Sequence, residues 1–172
     1  MRAFLLALAV VGIVASMSDV AFTQAKPSPS PSIQGVWKIT NLVRTGANAA
    51  KNGNPQPSLY IFTARHYSII SVNGTQARHE VAAFKNPDKP TDAEKLAAYE
   101  MWSPFTANSG TYELKGTTLT RHPLVAKNVE VMTSNPPAVG EVKIQGNTMV
   151  VTSKSAAGQP VSETQLTLTR VE

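Results

Sequence analysis

The sequence predicts an all-β domain, a single antiparallel up-and-down β-barrel of about eight to nine strands with one helix in an insertion. Three observations lead there. From Gln34 to the C-terminus, short runs rich in Val, Ile, Thr and Tyr are broken by Gly, Asn and Pro. Their spacing, roughly 8–12 residues, is that of a meander rather than of parallel βαβ units. Gly35-Val36-Trp37 opens the first run and Thr169-Arg170 closes the last, two ends that a closed barrel brings side by side. The chain also has no cysteine, so no disulfide holds it and a buried apolar interior must.

The elements follow in order. Gln34–Arg44 reads as a first strand whose alternation puts Trp37, Ile39 and Val43 on one face and Lys38, Thr40 and Arg44 on the other. Thr45–Pro57, rich in Gly, Asn, Ala and Pro, reads as a loop. Ser58–Ala64 and His66–Val72 read as two strands joined by a tight turn, and Asn73-Gly74 is the strongest short turn signal in the chain. Thr75–Asn108 breaks the β pattern. Within it, Thr91-Asp92-Ala93-Glu94 has the form of a capping box. Leu96, Tyr99 and Trp102 then share a helix face expected to pack on the barrel, and Pro104 ends the helix. Further strands are expected at Gly110–Leu114, Thr117–His122, Val129–Thr133, Glu141–Gln145, Thr148–Ser153 and Val161–Val171. Lys115-Gly116 and Gln145-Gly146-Asn147 supply hairpin turns.

The N-terminus has a different character. Arg2 precedes an apolar run from Ala3 to Ala15, and Thr23-Gln24-Ala25 offers a small-x-Ala cleavage site. This is the pattern of a signal peptide over residues 1–25, and the run is too short for a spanning helix. An uncleaved N-terminal anchor is the alternative. No cysteine follows the run, which excludes a lipid-anchored lipoprotein. Residues 26–32, Lys-Pro-Ser-Pro-Ser-Pro-Ser, form an extended spacer, and the folded domain is expected over 33–172. The expected location is periplasmic or secreted, and the expected state a monomer without a transmembrane segment. The net charge of +5 is unchanged by removing residues 1–25, which hold one Arg and one Asp. The charge is dispersed and reads as a solvated basic surface, with an anionic ligand or a membrane surface as the other reading. No Lys/Arg cluster interleaves with aromatics, which argues against nucleic acid as a partner.

The pairing of Gly35-Val36-Trp37 with Arg170 resembles the lipocalin, or more broadly calycin, signature. There an Arg of the last strand lies across the indole of the first and closes the barrel base, a contact worth ~0.5–2 kcal/mol. Gly35, Trp37 and Arg170 are the closure residues that this resemblance implies. The longer order of Gly-x-Trp, Asn54-Pro-Gln-Pro57, two strands, a helical insertion, Ser109-Gly-Thr-Tyr112, a strand and His122 resembles the bacterial lipocalin-like domain family. The likeness covers roughly Ile33 to Glu172 and rests on Gly35, Trp37, Gly110, Tyr112 and His122. Lys143 stands where that family commonly carries Arg. The resemblance implies a lipocalin-like barrel whose interior is a cup for a small, mostly apolar molecule.

The residues expected to line such a cup are Tyr60, Tyr67, Tyr99, Trp102, Tyr112 and His122, with Tyr99 and Trp102 as lid contacts from the insertion. No metal, cofactor or catalytic residue is assigned. His66, His79 and His122 have no ligand spacing, and HExxH, P-loop and GxSxG patterns are absent. Two other classes stay open. An isomerase or cyclase on the same barrel would use His122 with Glu113 or Glu130, together with Tyr112. A structural, envelope-associated module would use the same aromatic residues to fill its core.

Overall fold

The computed structural model describes residues 32–47, 49–155 and 158–172. The signal peptide expected over 1–25 and all but the last residue of the 26–32 spacer lie outside the described residues. Nine strands run as β1 (Gly35–Gly46), β2 (Ala50–Asn52), β3 (Ser58–Phe62), β4 (His66–Val72), β5 (Phe105–Lys115), β6 (Thr118–Ala126), β7 (Ala138–Gln145), β8 (Thr148–Lys154) and β9 (Ser162–Arg170). All pairings are antiparallel, and β1 returns to β9, so eight strands close a barrel while β2 adds to the far end of β1. The two helices are α1 (Asp92–Trp102) and α2 (Val129–Thr133).

The turns at the barrel base are local. Gly116 and Gly146, at φ of 60° and 56°, sit in the two-residue loops joining β5 to β6 and β7 to β8. Asn73-Gly74 does not make a hairpin. There the chain leaves β4 for the insertion, and the Asn73 N–H donates to the Pro104 carbonyl at 2.8 Å, pinching the neck. The capping box forms as expected: Thr91 accepts from the Glu94 N–H and the Glu94 carboxylate accepts from the Thr91 N–H. At its other end α1 lacks a basic residue of its own, and Lys127 from beyond β6 donates to the Trp102, Ser103 and Phe105 carbonyls.

Three expectations are corrected. Phe105–Asn108, read as part of the insertion, belongs to the first half of β5 and pairs with β4 from Ile69 to Val72. Val129–Thr133, read as a strand, is the short helix α2. The β6–β7 ladder ends at Arg121 and Ala138, and α2 lies beside β6 without pairing to it. Finally, β1 does not alternate evenly. A bulge between Ile39 and Asn41 shifts the register against β9, so that Leu42 faces Leu166 and Arg44 faces Thr164. Leu166, Thr164 and the fully buried Leu168 share one face of β9. Leu42 and Arg44 therefore point inward, and Val43 points out.

The core fills the base end. Trp37, Phe62, Tyr67, Ile69, Leu119, Val142, Met149 and Leu168 are buried there together with Ile33. Ile39, Tyr60, Tyr112, Ile144, Val151 and Leu166 pack against them but are only partly buried. Toward the other end the inward positions become small and polar: Ser58, Ser71, Thr106, Asn108, Ser153 and Thr164, by the register of the pairs.

Candidate functional site

The base is closed as the first and last strands require. Trp37 pairs with Arg170, its side chain is fully buried, and the Arg170 guanidinium carbon lies 4.1 Å from the indole centre. The Trp37 indole N–H donates to the Ile33 carbonyl at 2.8 Å, and the guanidinium donates to the Gln34 and Ser32 carbonyls. Gly35 is fixed by the same contact. A Cβ there would fall 2.3 Å from the Arg170 Nη1, and its φ is +130°. The indole N–H and two arms of the guanidinium are thus engaged by backbone carbonyls of the segment that leads into β1.

One inward cluster of this core, around Tyr67, is different. Tyr60, opposite Ile69, and Tyr67, beside Phe62 and 2 % exposed, point inward. Arg121 lies opposite Tyr112 and two residues from buried Leu119, which turns it inward as well. Its guanidinium carbon is 5.9 Å from the Tyr67 ring centre. Burial raises the pKa of both phenols above the ordinary 10.0, and the Arg121 charge opposes that rise in each. The Tyr67 hydroxyl is buried and finds no hydrogen-bond partner among the described residues. Arg121 has no carboxylate within salt-bridge distance among them either.

The other expected site residues lie elsewhere. Tyr112 packs edge-on against Phe62 at 5.3 Å, and its hydroxyl donates to the Thr63 carbonyl at 2.7 Å. It ties the β3–β4 turn to the barrel. His122 shares the outer face of β6 with Thr118 and Thr120, its side chain 44 % exposed and its Nε2 3.9 Å from Glu113. Glu113 itself is held by Lys115 at 2.7 Å, which lowers its pKa. The His122–Glu113 pair thus stands outside the barrel, on the face opposite Tyr112. Tyr99 and Trp102 do not reach the lumen. Leu96, Tyr99 and Trp102 are 57 %, 68 % and 51 % exposed, so the helix face expected to pack on the barrel faces solvent. Trp102 instead meets Phe105 edge-on at 5.5 Å, with Arg78 over both rings.

Clefts lie in the wall formed by the described residues. One, of about 760 Å³, opens where β1 leaves β3 for β2, between Lys38, Ile39, Ser58 and the Gly53–Pro57 loop. There the Ser58 hydroxyl accepts the Ile39 N–H at 2.9 Å in place of a ladder bond. The second, about 340 Å³, is at the base between Gly116, Val142 and Ile144. Among the described residues no group of three His, Cys, Asp or Glu is placed to hold a metal ion. No helix among them is long and apolar enough to cross a membrane.

Arg121 and Arg44 are the inward residues that reading the sequence missed. For Arg121 the signal was present. Leu119 and Arg121 alternate with Thr118, Thr120 and His122, so burying Leu119 sends Arg121 in and His122 out. For Arg44 it was absent, because one bulge reverses the face. Comparison with known protein families, with curated proteins and with solved structures finds no match to this chain.

Proposed function

We propose that this chain is an exported lipocalin-like protein that binds a small, mostly apolar molecule inside its barrel. The observation that carries the reading is the uneven filling of the lumen. Nine hydrophobic residues are buried among the described residues, and they cluster at the base. Above them Ile39, Val151 and Leu166 present apolar surface that is only partly covered. An apolar wall with a few polar groups at one level is the usual make-up of a small-ligand site. Burying ~200 Å² of apolar ligand surface against such a wall supplies about 5 kcal/mol before association costs. Of the pairs named for the enzyme reading, His122 and Glu113 share the outer face, and Tyr112 is engaged with Thr63.

The test is titration with N-phenyl-1-naphthylamine, an uncharged apolar dye that fluoresces when it leaves water. Saturable enhancement is expected, and Val151→Phe, which fills the lumen beside Leu166, is expected to weaken it while the fold persists. A dye signal that never saturates, or that Val151→Phe leaves untouched, overturns the reading.

A further inference from the structure

We propose that this protein pairs with a second copy of itself, the α1 ridge of each copy lying on the outer β3–β6 wall of the other. The pairing replaces the monomer expected from the sequence and does not depend on what the lumen holds. The outside of the barrel is divided by register. On β7, β8 and β9 the outward positions are polar or charged: Glu141 faces Thr152, Thr152 faces Gln165, and Lys154 faces Glu163. On the half of β3–β6 away from the base, the outward pairs are Leu59–Ile70, Ile70–Ala107, Val72–Phe105 and Ser109–Val125, and none carries a charge. Leu59, Ile70 and Val125 are 45 %, 43 % and 61 % exposed. Phe105 carries this surface onto the insertion, because Trp102 meets it edge-on, and Tyr99 and Leu96 continue it along α1. Tyr99 and Trp102 alone leave about 200 Å² in water. A connected apolar surface beyond a few hundred Å² is the mark of an interface.

Shape and charge point to the occupant. The helix is a ridge, with Leu96, Tyr99 and Trp102 all more than half exposed. The wall is a shallow trough. Between Ile70 and Val125 its outward residues are Ser68, Ala107 and Ser109, all small. The Ser109 hydroxyl donates to that of Ser68 at 2.9 Å, so the trough floor satisfies part of its own polarity. A two-fold axis sets each ridge into the other copy's trough and makes the same contact twice. Each copy gives a ridge and a trough, which brings the buried surface toward the ~800 Å² per partner of a stable interface. The charges agree. Helix α1 carries Asp92, Glu94 and Glu100 against Lys95. The trough is flanked by exposed Lys127, whose N–H donates to the Ala107 carbonyl, and by exposed Arg65 in the β3–β4 turn. An acidic helix over a trough flanked by cations is complementary. An anionic lipid surface would repel the same helix.

The experiment is sedimentation velocity of the full chain across a wide range of micromolar concentrations. A reversible dimer is expected. Tyr99→Glu on the ridge and Ala107→Arg in the trough are each expected to weaken it at least about tenfold. An equal mixture of the two variants is expected to dimerise again. The mixed pair keeps one native contact and sets the new acid against the new base in the other. Both positions lie on the outside, so melting temperatures are expected to hold. If Ala107→Arg lowers its own, Ile70→Arg replaces it in the same trough. A wild-type protein that stays monomeric throughout overturns the pairing. So does a dimer that neither variant weakens, or a mixture of variants that stays monomeric. Saturable binding of the monomer to vesicles of phosphatidylcholine and phosphatidylglycerol, lost in Tyr99→Glu, assigns the surface to lipid and also overturns it.

Discussion

Two arginines of this barrel lie near aromatic rings, and they do different work. At the base, Arg170 sits 4.1 Å from the Trp37 centre and gives its guanidinium protons to the Gln34 and Ser32 carbonyls. In the lumen, Arg121 sits 5.9 Å from the Tyr67 centre, beside a hydroxyl that has no acceptor among the described residues. The first pair is satisfied by the protein itself and joins the two ends of the chain. The second is incomplete, and its missing element is an acceptor. Residue type and proximity are similar in the two places. The state of the hydroxyl and carbonyl partners separates the two contacts.

The comparison can be broken at either end. Trp37→Ala should cost about 3–5 kcal/mol in urea unfolding, since the indole is fully buried; a loss below ~1 kcal/mol would mean that the base is not where the stability lies. Arg170→Ala should cost about 1–3 kcal/mol, as two carbonyls and the indole face lose their partner. A double-mutant cycle with Trp37 should show coupling of about 0.5–2 kcal/mol, and strict additivity would separate the two residues. At high pH the fold should weaken. Burial raises the Tyr60, Tyr67 and Tyr112 pKa values, so their stabilising effect is complete below the ordinary value of 10.0 and is lost as pH climbs through the raised ones. Absorbance titration of the phenols during alkaline unfolding reads this directly, and tyrosines that ionise at 10.0 before unfolding would contradict it. Arg121→Gln should change stability by less than ~1 kcal/mol, well under the effect at Arg170, because no carboxylate loses its partner. Smallest of all, Tyr67→Phe should be neutral or stabilising by up to about 1 kcal/mol, as it removes an unsatisfied buried hydroxyl.

Much of the frame was legible in the residues. Closure could be read from Trp37 and Arg170 because a meander barrel has one seam, and the seam must join its first and last strands. The α1 start could be read from Thr91 and Glu94 because a capping box is completed within four residues. The base hairpins could be read at Gly116 and Gly146 for the same reason of locality. Long-range pairing was harder. Phe105–Ser109 is a strand because β4 pairs along its whole length, with β6 joining only at Asn108 and Ser109. The apolar residues of α1 satisfy a helical period, and that period does not say whether a surface lies opposite them.

The candidate site divides in the same way. Tyr60 and Tyr67, named from the aromatic content of the chain, point inward by the register of β3 and β4. His122, expected to line the cup, stands on the outer face with Thr118 and Thr120. The sequence by itself determined what is local or periodic: most of the strands and of their turns, the helix cap, and the residues that close the seam. Tertiary structure alone decided the rest. A bulge in β1, set by pairing with a strand more than a hundred residues away, turned Arg44 into the lumen. The meeting of Arg121 with Tyr60 and Tyr67 came from the curvature that brings separate strands together around one interior. Local propensity cannot encode either, because each depends on which strands become neighbours once the barrel closes.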